Sequence, residues 1–325
     1  VFSPTVSGTP ETASQAVLKR SNRCRDLIAS LESCSNGLQI FAIRYRATSS
    51  RHIKSFHDFI FESGIQPPAS SGDDTGMSMN TAEEKVYRNR VDAGQLASFQ
   101  VRVKETDLLI HAESDLASTA RDALLRCRGY LEAYIGLNPE FQHVLAPWKT
   151  EGPVPPIVRE MARAAQAAGV GPMAAVAGAI SEQVGSELLK ASQQVIVENG
   201  GDVFIHTQTP VVVGIYAGRS PLSMRIGLRI DPAGKSMGVC TSSGTVGHSM
   251  SFGKADAVCV TSSSCALADA AATAIGNRVG SKSDIGNAVE FGKAIAGIQG
   301  VMIIVADQIG LWGGLELVAL EGKNG

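Results

Sequence analysis

The strongest constraint on the fold is a succession of strand-like segments in the second half of the chain, many of them joined by very short connections. Strands are predicted at 195–197, 203–206, 211–216, 222–230, 237–241, 257–261, 301–306 and 315–320. Parallel neighbours need a crossover of a dozen or more residues, so hairpin-length connections favour antiparallel pairing. Helical patterns accompany the strands at 157–168, 173–190, 266–278 and 285–296. We therefore predict an α+β fold of antiparallel sheets with flanking helices, not a doubly wound parallel sheet.

The first part of the chain differs in composition from the rest. Residues 1–86 are rich in Ser, Arg and other polar residues, with a weak helical pattern at 15–31 and a loop-like stretch at 67–80. We treat them as an N-terminal extension of unknown role. Residues 87–325 are expected to form one domain.

A hairpin and a long helix are predicted at the start of that domain. Apolar residues alternate with polar ones at 99–103, and 108–111 supplies the hairpin partner. Apolar residues then recur at three- and four-residue steps over 116–134, as on one face of a helix. Ser114 or Asp115 would cap the start of this helix.

Composition and charge exclude two kinds of partner. The net charge is −2 and no long block of Lys or Arg occurs, which argues against nucleic-acid binding. The longest apolar stretches, such as Met173–Ile180, are too short to cross a bilayer, and no signal peptide is visible. A cytoplasmic protein is expected, and its six cysteines, which include no Cys-x-x-Cys pair, would be reduced thiols. Low charge and exposed sheet edges fit a homo-oligomer.

Two adjacent glycines lie in a turn between predicted strands, within the run Glu198-Asn199-Gly200-Gly201-Asp202. Paired glycines accept positive φ angles and let a small-molecule ligand approach bare backbone, and the flanking side chains add polar groups. The pattern indicates a cofactor-binding turn at Asn199, Gly200, Gly201 and Asp202. A plain β-turn is the alternative.

A second run, at 238–249, is dense in Gly, Ser and Thr. Backbone N–H groups beside glycine, together with hydroxyl donors, form a neutral cradle for phosphate or carboxylate. The predicted cradle residues are Thr241, Ser242, Ser243, Gly244 and Thr245. His248 would act as general acid or base, because imidazole titrates near neutral pH, and Cys240 is a second catalytic candidate. A structural turn is the alternative.

A carboxylate and a hydroxyl stand four residues apart on the predicted helix at 266–278. Asp269 and Thr273 would share one helix face, about 6 Å apart along the axis. On an otherwise Ala-rich helix, these two hard oxygen donors predict a Mg²⁺ site completed by water or phosphate. The alternative is that Asp269 supports the first helical turn and Thr273 bonds back to a carbonyl.

The three motifs, in this order, resemble the UPF0280 group of ApbE-like proteins through ENGGDVFI, CTSSGTVGHSMSFGKADAV and LADAAATAIGN. The segments FQVRVKETDLLI and GPMAAVAGAISEQVG fit the same pattern, and the resemblance covers roughly 87–323. The wider superfamily is similar to FAD:protein FMN transferases, which use Mg²⁺ and FAD to attach FMN to a Thr or Ser of a target protein. The resemblance implies antiparallel sheets with flanking helices, akin to a T-fold.

The same resemblance assigns roles to residues. The transferases hold the metal with an Asp and a Thr that correspond to Asp269 and Thr273, and their flavin-proximal GGD segment corresponds to 200–202. This chain has GHSMSFGKAD where the transferases carry HIIDPxTG, and Val176-Ala177-Gly178 where they carry Lys in an AKG segment. The resemblance therefore implies a retained metal corner with altered flavin contacts.

Three functions remain open from the sequence. The first is Mg²⁺-assisted binding of FAD or FMN, with flavin-transferase-type chemistry. The second is sulfur handling in sulfide-dependent homocysteine formation, with which the resembling group is associated, through a lowered thiol pKa of Cys240 or Cys265. The third is a non-catalytic metabolite-binding scaffold.

Overall fold

The computed structural model describes residues 96–244 and 253–320, together with the backbone of two short segments at 42–43 and 52–55. All of these residues belong to one structural unit. The helix predicted at 15–31, the loop predicted at 67–80 and the domain boundary predicted after residue 86 lie outside the described residues.

The strands and helices follow one another along the chain in groups, and most of them lie where the hydrophobic patterns predict them. The strands are β1 (Ala42–Ile43), β2 (His52–Ser55), β3 (Ala97–Val103), β4 (Thr106–Ala112), β5 (Val195–Asn199), β6 (Asp202–His206), β7 (Val211–Gly214), β8 (Ile226–Ile230), β9 (Met237–Ser242), β10 (Ala257–Ser262), β11 (Ile298–Val305), β12 (Gln308–Gly313) and β13 (Glu316–Ala319). The helices are α1 (Ala117–Leu137), α2 (Pro156–Ala168), α3 (Val176–Leu188), α4 (Cys265–Gly276) and α5 (Ile285–Ala294).

The strands form two sheets. One sheet has nine strands in the order β2-β12-β11-β10-β9-β6-β5-β4-β3, and the other has four in the order β1-β13-β8-β7. Every neighbouring pair is antiparallel. The predicted α+β class with antiparallel sheets and flanking helices is therefore confirmed.

Each face of the nine-stranded sheet is buried in a different core. Helices α1, α3, α4 and α5 pack on one face, and α2 packs on α3 and α4. The four-stranded sheet contributes to the core on the opposite face. The alternation of side chains in β9 shows the division, because Cys240 belongs to the helical core and its neighbour Val239 to the core shared by the sheets.

Two glycines allow α4 to lie unusually close to its neighbours. A Cβ added at Gly238 in β9 would lie 2.4 Å from the Cα atom of Cys265, which begins α4. A Cβ added at Gly178 in α3 would lie 2.4 Å from the carbonyl oxygen of Cys265 and 2.8 Å from Cβ of Asp269. These close approaches fix α4, and with it Asp269, against both the sheet and α3.

Gly238→Ala is expected to destabilise the protein by about 1–3 kcal/mol, because backbone atoms of α4 must move to admit the methyl group. A matched control is Gly129→Ala in α1, where an added Cβ meets none of the described residues within 4 Å. That change should instead stabilise the helix by about 0.5–1 kcal/mol. Urea unfolding of both variants measures the difference, and equal effects would show that the approach at Gly238 is not tight.

Strands β1 and β2 were not predicted, and two further strand predictions differ from the structure. The segment predicted as one strand at 222–230 begins only at Ile226, because the Ser220 hydroxyl donates to the carbonyl of Ala306 and accepts from the Leu222 N–H, which fixes a turn. Met224 in this segment has a positive φ of 55°. Strand β12 was not predicted, since its glycines interrupt the apolar pattern.

The membrane prediction concerns helix length. Among the described residues, no single helix has the length and apolar character needed to cross a bilayer, and one bent pair, Pro156–Ala168 with Pro172–Leu188 at 105°, meets the criterion by length and composition together.

Candidate functional site

The structure places the diglycine turn beside the end of β9. Gly200 and Gly201 join β5 to β6 with positive φ angles of 64° and 106°, a conformation that favours glycine. Because β6 pairs with β9, Asp202 lies opposite Cys240, and a Cβ added at Gly201 would lie 3.7 Å from the carbonyl oxygen of Thr241. An added Cβ at Gly200 meets no atom of the described residues within 4 Å, so among these residues the outer side of the turn is open to a ligand.

Two polar side chains hold the turn in place. The Glu198 carboxylate accepts the N–H of Gly201 at 3.1 Å. The Asn199 amide donates to the carbonyl of Ala177, in the first turn of α3, at 3.2 Å. The predicted cofactor-binding residue Asn199 thus ties the turn to α3.

Asp269 faces the start of α3. Its Oδ2 atom accepts the N–H of Gly178 at 2.9 Å, and the N–H of Ala177 also bonds to this carboxylate. The first N–H groups of a helix lack partners within the helix, so a carboxylate there is favourable. The sequence alternative placed Asp269 in support of its own helix, but the structure shows that it caps a neighbouring one.

Asp202 and Asp269 form a pair of carboxylates that repel each other. Asp202 is buried, and its Oδ1 atom has no hydrogen-bond partner within the part of the chain that the structure describes. Burial, followed by repulsion from Asp269, raises the pKa of Asp202 well above its usual value. Burial also raises the pKa of Asp269 to about 7, against the opposing effect of the bonds from Gly178 and Ala177. A bound cation would favour the ionised form of both carboxyls and would therefore lower both pKa values.

The donor set fits a hard divalent cation. Thr273 follows Asp269 by one turn of α4 and is half-buried, as Asp269 is. Within residues 96–244 and 253–320, no group of three or more His, Cys, Asp or Glu side chains is arranged to hold a metal. A cation at Asp269 and Thr273 would therefore draw its other ligands from water or phosphate, as protein-bound Mg²⁺ commonly does.

The predicted cradle at 241–245 is only partly a loop. Thr241 and Ser242 belong to β9 and pair with Cys259 and Val258 of β10, so the sheet, and not a glycine-rich loop, sets their backbone. Ser243 is half-buried and Gly244 is exposed. Thr245 and His248 lie outside the described residues, and their roles stay predictions.

The two cysteines of the site lie inside the core. Cys240 is 0% exposed, and its Sγ atom lies 3.5 Å from Sγ of Cys265. Burial raises the pKa of Cys240 well above its usual value. The bond with Cys240 favours the Cys265 thiolate, but burial and nearby carboxylates outweigh it and the pKa is raised. The prediction of a lowered thiol pKa is wrong, and a catalytic role of Cys240 stays a prediction that requires the thiol to become accessible.

Sequence reasoning missed Glu182. Its carboxylate accepts the N–H groups of Cys265 and Ala266 at 2.8 and 3.2 Å, and the hydroxyl of Ser264 at 3.1 Å. Ser264 caps α4 by accepting the N–H of Leu267. The only local sign of Glu182 is a charge on a Gly- and Ala-rich helix, since its partners lie more than eighty residues away.

Similar proteins from several archaea are named only as UPF0280 proteins. The relative from Methanocella arvoryzae is 43% identical over 223 residues, which cover 68% of this chain and 90% of the relative. The relative from Methanosarcina acetivorans is 44% identical over 233 residues, covering 71% and 91%.

Among solved structures, the apo form of the Pseudomonas stutzeri flavinyl transferase ApbE has a TM-score of 0.46 and 11% identity, over 67% of this chain and 94% of that one. The ApbE protein of Thermotoga maritima has a TM-score of 0.41 and 14% identity, over 64% and 94%. A family model described as "AbpE bacteria" matches residues 88–311. With that match and relatives above 40% identity, the chain belongs to the UPF0280 family of ApbE-like proteins.

Proposed function

We propose that this protein binds a phosphate-bearing flavin nucleotide, FAD or FMN, with the help of Mg²⁺. The observation that carries the proposal is the meeting of the Asp202–Asp269 carboxylate pair with the diglycine turn and the end of β9. Two carboxylates that repel each other favour the binding of a cation between or beside them. Glycine residues without side chains allow a ligand to approach the backbone closely. Family membership supports a flavin as the ligand, since ApbE proteins of other organisms are named flavin transferases.

The proposed roles follow from where the side chains stand. Asp269 and Thr273 would hold Mg²⁺, which would neutralise phosphate charge. Gly200 and Gly201 would contact the ligand through bare backbone, and Ser243 with Gly244 would add donors at the end of β9. Asn199 and Asp202 would hold the diglycine turn in position, Asn199 through its bond to the carbonyl of Ala177 in α3.

The residue at position 177 points to a strong dependence of phosphate binding on the metal. In the first turn of α3, the carbonyl of Ala177 accepts bonds from Ser181 and Asn199, and its methyl side chain adds no charge. The related transferases carry Lys in this segment. Because Ala177 brings no positive charge to the site, Mg²⁺ would take on a larger part of neutralising the phosphates.

A transfer reaction is the next step of the proposal. FMN would pass from bound FAD to a hydroxyl group, with AMP as the leaving group. His248 would accept the proton that the hydroxyl group loses. His248→Gln is then expected to retain FAD binding and to lose transfer.

A ligand series tests recognition of phosphate. FAD, FMN and riboflavin share one ring system, but riboflavin lacks phosphate. With Mg²⁺ present, calorimetric titration should show binding of FAD or FMN and at least about tenfold weaker binding of riboflavin, since phosphate supplies the charged contacts. Equal affinities for FMN and riboflavin, or no binding of any of the three, would overturn the proposal.

A further inference from the structure

Helices α3 and α4 cap each other through carboxylates. Glu182 of α3 accepts the first N–H groups of α4, from Cys265 and Ala266, at 2.8 and 3.2 Å. Asp269 of α4 accepts the N–H of Gly178, in the first turn of α3, at 2.9 Å. Each helix therefore satisfies the unpaired donors at the start of the other.

The two helices that cap each other are also closely packed. Gly178 lies against both the carbonyl of Cys265 and Cβ of Asp269, so no side chain separates the two helices there. The Ser264 hydroxyl also donates to Glu182, at 3.1 Å, which gives this half-buried carboxylate three donors. A carboxylate with several donors in a partly buried setting has little freedom to move.

The two carboxylates are linked through α4 itself. Cys265 and Asp269 are four residues apart, which is about 6 Å along the helix axis. A helix moves largely as a rigid body over one turn, so a shift at its start also displaces Asp269. Thr273, one turn further on, would be displaced with it.

We propose that Glu182 is a positioning residue for the ligand site, because its carboxylate sets where α4 lies along α3 and thereby aims Asp269 and Thr273. The effect of this positioning on metal binding rests on the function proposed above. The capping of Ala177 and Gly178 by Asp269 does not, so the positioning itself can be measured without any ligand.

The chain offers a matched control within the same helix bundle. Glu160 of α2 accepts the side-chain amide of Gln183 in α3 at 2.9 Å. Glu160→Ala therefore removes a carboxylate contact between helices at the residue next to Glu182, and it leaves the groups of the Glu182 cap on α4 in place. The charge of Glu160 also disfavours ionised Glu182, so its loss should not weaken the cap on α4.

The test compares wild type, Glu182→Ala, Glu182→Gln and Glu160→Ala. Mn²⁺ affinity is measured by paramagnetic resonance with the metal alone, Mn²⁺ being a hard octahedral substitute for Mg²⁺. Glu182→Ala should weaken Mn²⁺ binding about tenfold, as loss of a group that orients a metal ligand usually does. Glu182→Gln keeps an acceptor oxygen and should recover most of the affinity, while Glu160→Ala should match the wild type.

Hydrogen exchange of the amides of Ala177 and Gly178 supplies the second readout. Both amides should lose protection in Glu182→Ala and keep it in Glu160→Ala, because only the first change displaces Asp269. Unchanged protection in Glu182→Ala, or equal loss in both variants, would overturn the inference. If the wild type does not bind Mn²⁺ alone, the exchange data decide the role of Glu182, and the FAD titration with and without Mg²⁺ decides the proposed function.

Discussion

Asp269→Asn is expected to abolish Mg²⁺-dependent flavin binding and leave the protein folded, whereas Asp269→Ala should lose both binding and stability. Asn retains an oxygen that accepts the N–H of Gly178, but it lacks the charge that holds a cation. Ala leaves the Gly178 and Ala177 donors without their partner, at a cost of about 1–3 kcal/mol. Calorimetric titration with FAD and Mg²⁺, alongside urea unfolding, separates the two effects.

The two variants separate the two proposed roles of Asp269, as a cap on α3 and as a ligand of the metal. Asp122→Asn, at an exposed position of α1, controls for loss of one negative charge and should leave binding unchanged. If Asp269→Asn binds FAD with undiminished Mg²⁺ dependence, then Asp269 is only a helix cap and the metal lies elsewhere.

The metal-free protein is expected to lose stability as the pH rises from about 4 to about 7. An unfolded Asp titrates near pH 4, while burial raises the pKa of folded Asp269 to about 7 and shifts that of Asp202 in the same direction. The folded state thus holds protons that the unfolded state releases. The stability from these protonated carboxyls is fully present below about pH 4 and is lost as the pH passes through the folded pKa. The loss is on the order of a few kcal/mol.

Urea unfolding at pH 5 and pH 8, in a chelator, measures this loss. Mg²⁺ should restore stability at pH 8, because a ligand that binds only the folded state stabilises it. Asp269→Asn should flatten the pH dependence, since one of the two titrating groups is gone. A wild-type stability that rises over this interval would mean that the two carboxyls do not carry raised pKa values in the folded protein.

Local patterns predicted much of the fold. The hairpin of β3 and β4, the helix α1 and the strands β9 and β10 all follow from short-range periodicity, and so does the placement of Asp269 and Thr273 on one face of α4. The turn before Ile226 was not foreseen, because it depends on a bond from Ser220 to the distant carbonyl of Ala306.

The arrangement of the site was much less predictable. The turn was visible in the sequence, because paired glycines accept the positive φ angles that a tight turn requires, as Gly200 and Gly201 do here. The repulsion between Asp202 and Asp269, and the cap that Glu182 places on α4, join residues far apart in the chain. Only the packing of α3 against α4 and of α4 against the sheet brings these groups together.

The central claim is that a divalent cation and a flavin nucleotide bind together at the corner formed by Asp269 and the diglycine turn. Calorimetric titration of FAD into the wild-type protein, once with Mg²⁺ and once with a chelator, tests it most directly. We expect binding with Mg²⁺ and a loss of at least about tenfold in affinity without it, because no cation would then neutralise the phosphate charge beside Asp269. Equal FAD affinity in both conditions, or none in either, would contradict it.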